Sequence, residues 1–73
     1  MAEKRSTIIP KAPVARILMK VGAKRVSAGA AAVFTDKLED IAKRIAEDAV
    51  RIAKHAGRKT VHDSDIRLAA RRT

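Results

Sequence analysis

The sequence predicts an all-α domain of three helices, short, long and short, and three observations carry that prediction. Gly and Pro together supply only five of the 73 residues, too few for the turns of a small all-β domain. Phe34 is the single aromatic, and much of the 47% hydrophobic share is Ala, so the alphabet is that of helices. From Ala28 to Ala56 there is no Pro, and apolar side chains recur at 3-4 spacing, a pattern that lines one face of a helix.

Residues 1–9 show no helical period and run into Pro10, so they are expected to form a flexible basic arm ahead of a folded domain spanning 10–73. Pro13 suits a first helical turn, and Val14, Ile17, Leu18 and Val21 follow at i, i+3, i+4, i+7. Gly22 ends this helix after about eight residues. A first loop then carries Lys24 and Arg25, and Ser27 is a natural N-cap for the long helix. Phe34, Leu38, Ile41, Ile45, Ala49, Ile52 and Ala56 form its apolar stripe, widened by Ala42, Ala46 and Ala53. The other face offers Glu39–Lys43, Asp40–Arg44 and Glu47–Arg51 as i, i+4 pairs. Gly57 stands at the C′ position, and Gly57 to Val61 forms a second short basic loop. The last helix carries Ile66, Leu68, Ala69 and Ala70, with Asp63 as its N-cap and Thr60 or Ser64 as alternatives.

Composition bounds the function. Ordering so short a chain costs roughly 110 kcal/mol of conformational entropy at about 1.5 kcal/mol per residue, so a staple is expected. The absence of Cys excludes disulfides and thiolate-bound metal and suits a reducing intracellular compartment. No apolar run approaches the ~20 residues that span a bilayer, and nothing resembles a signal peptide, so the chain reads as cytosolic with no membrane partner. Oligomerisation is the staple that remains. The long helix extends about 43 Å, whereas each flanking helix covers about 12 to 15 Å at its ends. Leaving the middle, roughly Leu38 to Ala49, in water would forfeit about 1.5 to 3 kcal/mol per large side chain. A second copy crossing there, with Ala42, Ala46 and Ala49 permitting close approach, predicts a two-fold homodimer.

Such a dimer sets loop one of one chain beside loop two of the other, so Lys24, Arg25, Arg58 and Lys59 converge with the hydroxyls of Ser27 and Thr60. That set suits phosphates on either side of a groove. Formal charge is +9 per chain and +18 per dimer by doubling, favouring salt-sensitive, sequence-independent binding of double-stranded DNA. The chain has no Asn or Gln for base readout and no aromatic platform for unstacked bases.

Pro10-Lys-Ala-Pro-Val-Ala-Arg16, Gly22-Ala-Lys-Arg25-Val-Ser27 and, above all, His55-Ala-Gly-Arg58-Lys59-Thr60-Val with Asp65-Ile66 following resemble an archaeal histone over residues 10–72. The resemblance implies a histone-fold handshake dimer that wraps and compacts duplex DNA on the chromosome. Arg16 and Arg25 would be directed at the minor groove, and Lys24, Ser27, Lys59 and Thr60 at phosphates. Arg58 and Asp65 would form a structural salt bridge. Ile52, His55, Asp65 and Leu68 resemble the positions where two dimers meet, giving tetramers or longer stacks. Gly22 resembles the small residue between stacked layers. Another histone, as heterodimer partner, is the alternative to self-pairing. Gly29 departs from the family pattern and costs up to ~1 kcal/mol relative to Ala.

No catalytic constellation emerges. His62 and Asp63 are adjacent, so they do not face one point of a helix, and neither His55 nor Asp65 completes a metal-ligand spacing. The expectation is a DNA-binding protein with no enzymatic activity, metal or cofactor. An interaction module of a transcription complex is the competing reading, against which the charge in both loops argues.

Overall fold

The computed structural model describes residues 8–72. Three helices follow in order: α1 at Lys11–Lys20, α2 at Ala28–His55 and α3 at Asp63–Arg71. The chain divides after Glu39 into two compact units, and α2 runs through both. No described helix is long and apolar enough to cross a membrane.

The first unit joins α1 to the N-terminal part of α2. Helix α1 starts two residues earlier than Pro13 suggests: Pro10 is its N-cap and Pro13 its third residue. The first-turn N–H groups lack intrahelical partners, so a proline there forfeits nothing. Among the described residues of this unit, Val14, Ala31 and Thr35 are buried. Thr35 is absent from the apolar stripe read in the sequence because it counts as polar. Its Oγ1 donates to the Ala31 carbonyl at 2.7 Å, so the hydroxyl is satisfied and the residue buries fully. Much of the α1 stripe stays in water, with Ile17 exposed and Val21 79% exposed.

The second unit joins the C-terminal part of α2 to α3 and buries Ala49, Ala53, Ala69 and the carboxylate of Asp65. Asp48 accepts from Arg51 at 3.0 Å and from Arg72, just past α3, at 3.2 Å. Arg51 thus reaches Asp48, an i, i+3 partner, where the sequence pattern offered Glu47.

Helices α1 and α2 end alike. Gly22 at φ +123° and Gly57 at φ +74° adopt backbone angles that side chains resist. The next amides reach back, Ala23 to the Leu18 carbonyl and Arg58 to that of Ala53, each at 3.0 Å. The glycine amides close the inner bonds to Met19 and Lys54, completing a Schellman motif at both ends. Ser27 caps α2, its Oγ accepting the Ala30 N–H at 3.0 Å.

The start of α3 differs from expectation. His62, rather than Asp63, Thr60 or Ser64, occupies the N-cap, and its backbone N–H donates to Asp65 at 2.8 Å. The Asp65 carboxylate at the third helical position sets where the helix begins, which leaves Asp63 as an acid in the first turn.

Candidate nucleic-acid interface

Loop one leaves α1 through Gly22 and enters α2 through Ser27, and between them Lys24 and Arg25 are exposed. Ser27 uses an Oγ lone pair for its cap, which leaves its O–H free to donate. Arg16 lies on α1 and is exposed, as is Gly22. A Cβ on Gly22 would meet nothing within 4 Å. Within one chain, then, its positive φ is what calls for glycine.

Loop two is built around an ion pair. Arg58 Nη1 donates to Asp65 Oδ2 and Nη2 to Asp65 Oδ1, both at 2.9 Å, a two-pronged fit of guanidinium to carboxylate. Nη1 also donates to the Thr60 carbonyl at 3.0 Å. With the His62 N–H on Oδ2 as well, a side chain only 3% exposed accepts three hydrogen bonds, two on Oδ2 and one on Oδ1. The Arg58 bond, followed by the His62 N–H, holds the Asp65 carboxyl down at about 2 against the opposing effect of burial. The same pairing raises the pKa of Arg58. Arg58 is therefore spent on holding the loop, while its neighbours Lys59 and Thr60 are exposed. Beside them a groove is lined by Val50, Ala53 and Val61 with Lys54, Arg58 and Lys59.

The remaining residues singled out from the sequence lie in the second unit. His55 ends α2 and is exposed, Ile52 is half-buried, and Leu68 on α3 is exposed. Asp65 is turned inward to Arg58.

Two acids escaped the sequence reading. Glu39, assigned to a pair with Lys43, accepts the backbone N–H groups of Ile8 and Ile9 at 2.6 and 2.7 Å. The last two residues of the expected arm are thus tied to α2, and the rest of the arm, 1–7, lies outside the described residues. Asp48 gathers Arg51 and Arg72. Their partners are 31 and 24 positions away in the case of Ile8 and Arg72, so no local spacing rule finds them.

Residues 7–70 match the family described as histone-like transcription factor (CBF/NF-Y) and archaeal histone. The chain belongs to this family. It is similar to the probable archaeal histone 3 of Methanocaldococcus jannaschii, 51% identical over 63 residues that cover 86% of this chain and 94% of that one. It is similar also to one of the subunits of archaeal histone HAN1 from Thermococcus zilligii, 44% identical over 63 residues with the same two shares. Three helices with the longest in the middle are the histone fold. As a histone-fold member the chain is a DNA-binding chromatin protein that dimerises through this fold, and it is not an enzyme.

Proposed function

We propose that two copies of this chain pair across the middle of α2, and that the homodimer binds duplex DNA through its backbone, without sequence preference, and wraps and compacts it. One observation carries this reading. Between Thr35 and Ala49 no residue of α2 is buried, although Leu38, Ile41 and Ile45 lie in that stretch and Ile41 is 39% exposed. A second copy laid on this strip removes it from water, and the exposed Ala42 and Ala46 allow the two backbones to approach closely.

An antiparallel crossing brings loop one of one copy beside loop two of the other. Lys24, Ser27, Lys59 and Thr60 then address phosphates, and Arg16 and Arg25 address the minor groove. Arg58 is left out of the contact set because Asp65 and the Thr60 carbonyl occupy it. Dimers associate further through Ile52, His55, Asp65 and Leu68, with Gly22 facing the neighbouring layer of a longer stack. The cytoplasmic nucleoid is the place for this activity.

Binding measured against salt concentration on unrelated duplexes tests the proposal. Arg25→Ala combined with Lys59→Ala should weaken binding alike on every sequence and flatten the slope of log K against log salt by about 0.9 per lost phosphate contact. A loss confined to some sequences would contradict backbone recognition. Nuclease digestion of the complex should give a ladder with regular steps if dimers stack open-endedly, and one fixed length if they form a closed particle. Replacing His55 and Leu68, which are both exposed, should shorten the protected lengths, and unchanged lengths would remove the dimer–dimer assignment.

A second reading, in which the chain works mainly through a different histone-fold partner, is favoured by the Thermococcus zilligii relative, whose name makes it one component of HAN1. It predicts that the purified chain alone fails to compact DNA at low salt while forming heterodimers readily.

A further inference from the structure

Helix α1 begins without the devices that usually hold a helix start. Pro10 at its N-cap makes no side-chain cap bond, and no acid stands in the first turn. By contrast α2 has the Ser27 cap, and α3 has Asp63 and Asp65. At ten residues α1 is shorter than the ~12–15 at which isolated helices become even marginally stable in water. Its start must be held from outside. The chain just ahead of it is held, because two consecutive amides, those of Ile8 and Ile9, converge on Glu39 Oε2 at 2.6 and 2.7 Å. These are short bonds, as expected for N–H donors on an ionised carboxylate. The Ile8 side chain is 90% exposed, so the anchorage at that residue lies in the backbone and not in apolar packing.

We infer that Glu39 is the positioning residue that seats the start of α1 on α2 and, through α1, holds Arg16 ready for duplex DNA. The role of Arg16 rests on the function proposed above, whereas the seating does not. Glu39 does for α1 what Ser27 does for α2, from a distant point in the sequence. A helix seated in the free protein meets DNA already ordered; an unseated one adds its ordering cost to binding.

Two variants of equal charge separate this role from simple electrostatics. Glu39→Gln and Glu39→Ala each remove one negative charge, but Gln keeps a carbonyl oxygen with two acceptor sites. Charge counting alone makes both bind DNA more tightly than wild type and equally so. Seating predicts that Glu39→Ala binds about fivefold more weakly than Glu39→Gln, the factor that accompanies loss of a helix cap.

Amide hydrogen exchange on the free protein gives a readout without DNA. Ile8, Ile9 and the first turn of α1 should exchange faster in Glu39→Ala, with α3 unchanged. Ile9→Pro, which deletes one donor and leaves Glu39 in place, should speed exchange at Ile8 and in the same turn, and it decides the matter should Glu39→Ala fail to fold. Unchanged exchange in these variants would overturn the seating. Faster exchange with equal affinities for the two Glu39 variants would overturn the link to Arg16. Failure of the wild type itself to bind DNA would refute the function proposed above and the Arg16 role with it, while exchange would still decide the seating.

Discussion

Loop one and loop two look alike in sequence and are built differently. Each follows a glycine that closes a Schellman motif, and each carries two adjacent cations. In loop two one of those cations, Arg58, is drawn inward to Asp65 and to the Thr60 carbonyl. In loop one Lys24 and Arg25 both remain exposed, and the Ser27 cap shapes the exit of the loop. Counting charges therefore overstates the outward cations of loop two by one residue per chain. Loop two uses one of its cations to hold its own shape, whereas loop one exits through the Ser27 side-chain cap and keeps both outward.

Mutations at the two loops should separate their constructions. Asp65→Ala should cause the largest loss of stability in thermal denaturation, because it strands a half-buried guanidinium and frees the His62 N–H at the start of α3. Its pH dependence has a definite sign. The folded-state pKa of about 2 lies below the value near 4 of an unpaired Asp. The stability that Asp65 contributes is thus fully present above about pH 4 and is lost as pH falls toward 2. Asp65→Asn should flatten that acid limb, and an unchanged limb would show that other carboxylates produce it.

Gly57→Ala and Gly22→Ala should each cost about 1 to 2 kcal/mol, because both force a side chain to positive φ. A cost well under this at Gly22 would mean that its loop relaxes where loop two cannot. Ser27→Ala should cost about 1 kcal/mol and Ser27→Gly only a few tenths. No loss for either variant would show that the bond to Ala30 is not what Ser27 contributes.

What was legible in the sequence was local. The three helices, the Ser27 cap and the two closing glycines follow from residues within a turn of one another, where spacing and backbone preference decide the outcome. The start of α3 differs from its local pattern because a carboxylate at the third helical position, itself held by Arg58, overrides the usual preference for Asp at the N-cap. Thr35 stands outside the apolar stripe because hydropathy treats a hydroxyl as exposed, although the Ala31 carbonyl satisfies it. Local spacing pairs Glu39 with Lys43 and gives Asp48 no role. Only the fold shows the first on the backbone of Ile8 and Ile9 and the second between Arg51 and Arg72. The loop cations were visible as a set, but their division into bracing Arg58 and outward Lys59 depends on tertiary contacts.

On the reading proposed above, a second copy of the chain covers the strip of α2 from Leu38 to Ala46, in which Ile41, Ala42 and Ala46 are exposed and Leu38 and Ile45 half-buried. Denaturant unfolding across a hundredfold range of protein concentration tests it most directly. Pairing predicts an apparent stability that rises by about 1.4 kcal/mol for each tenfold increase in chain concentration, with dimers in sedimentation at micromolar protein. A folded single chain whose unfolding midpoint does not move with concentration would contradict it.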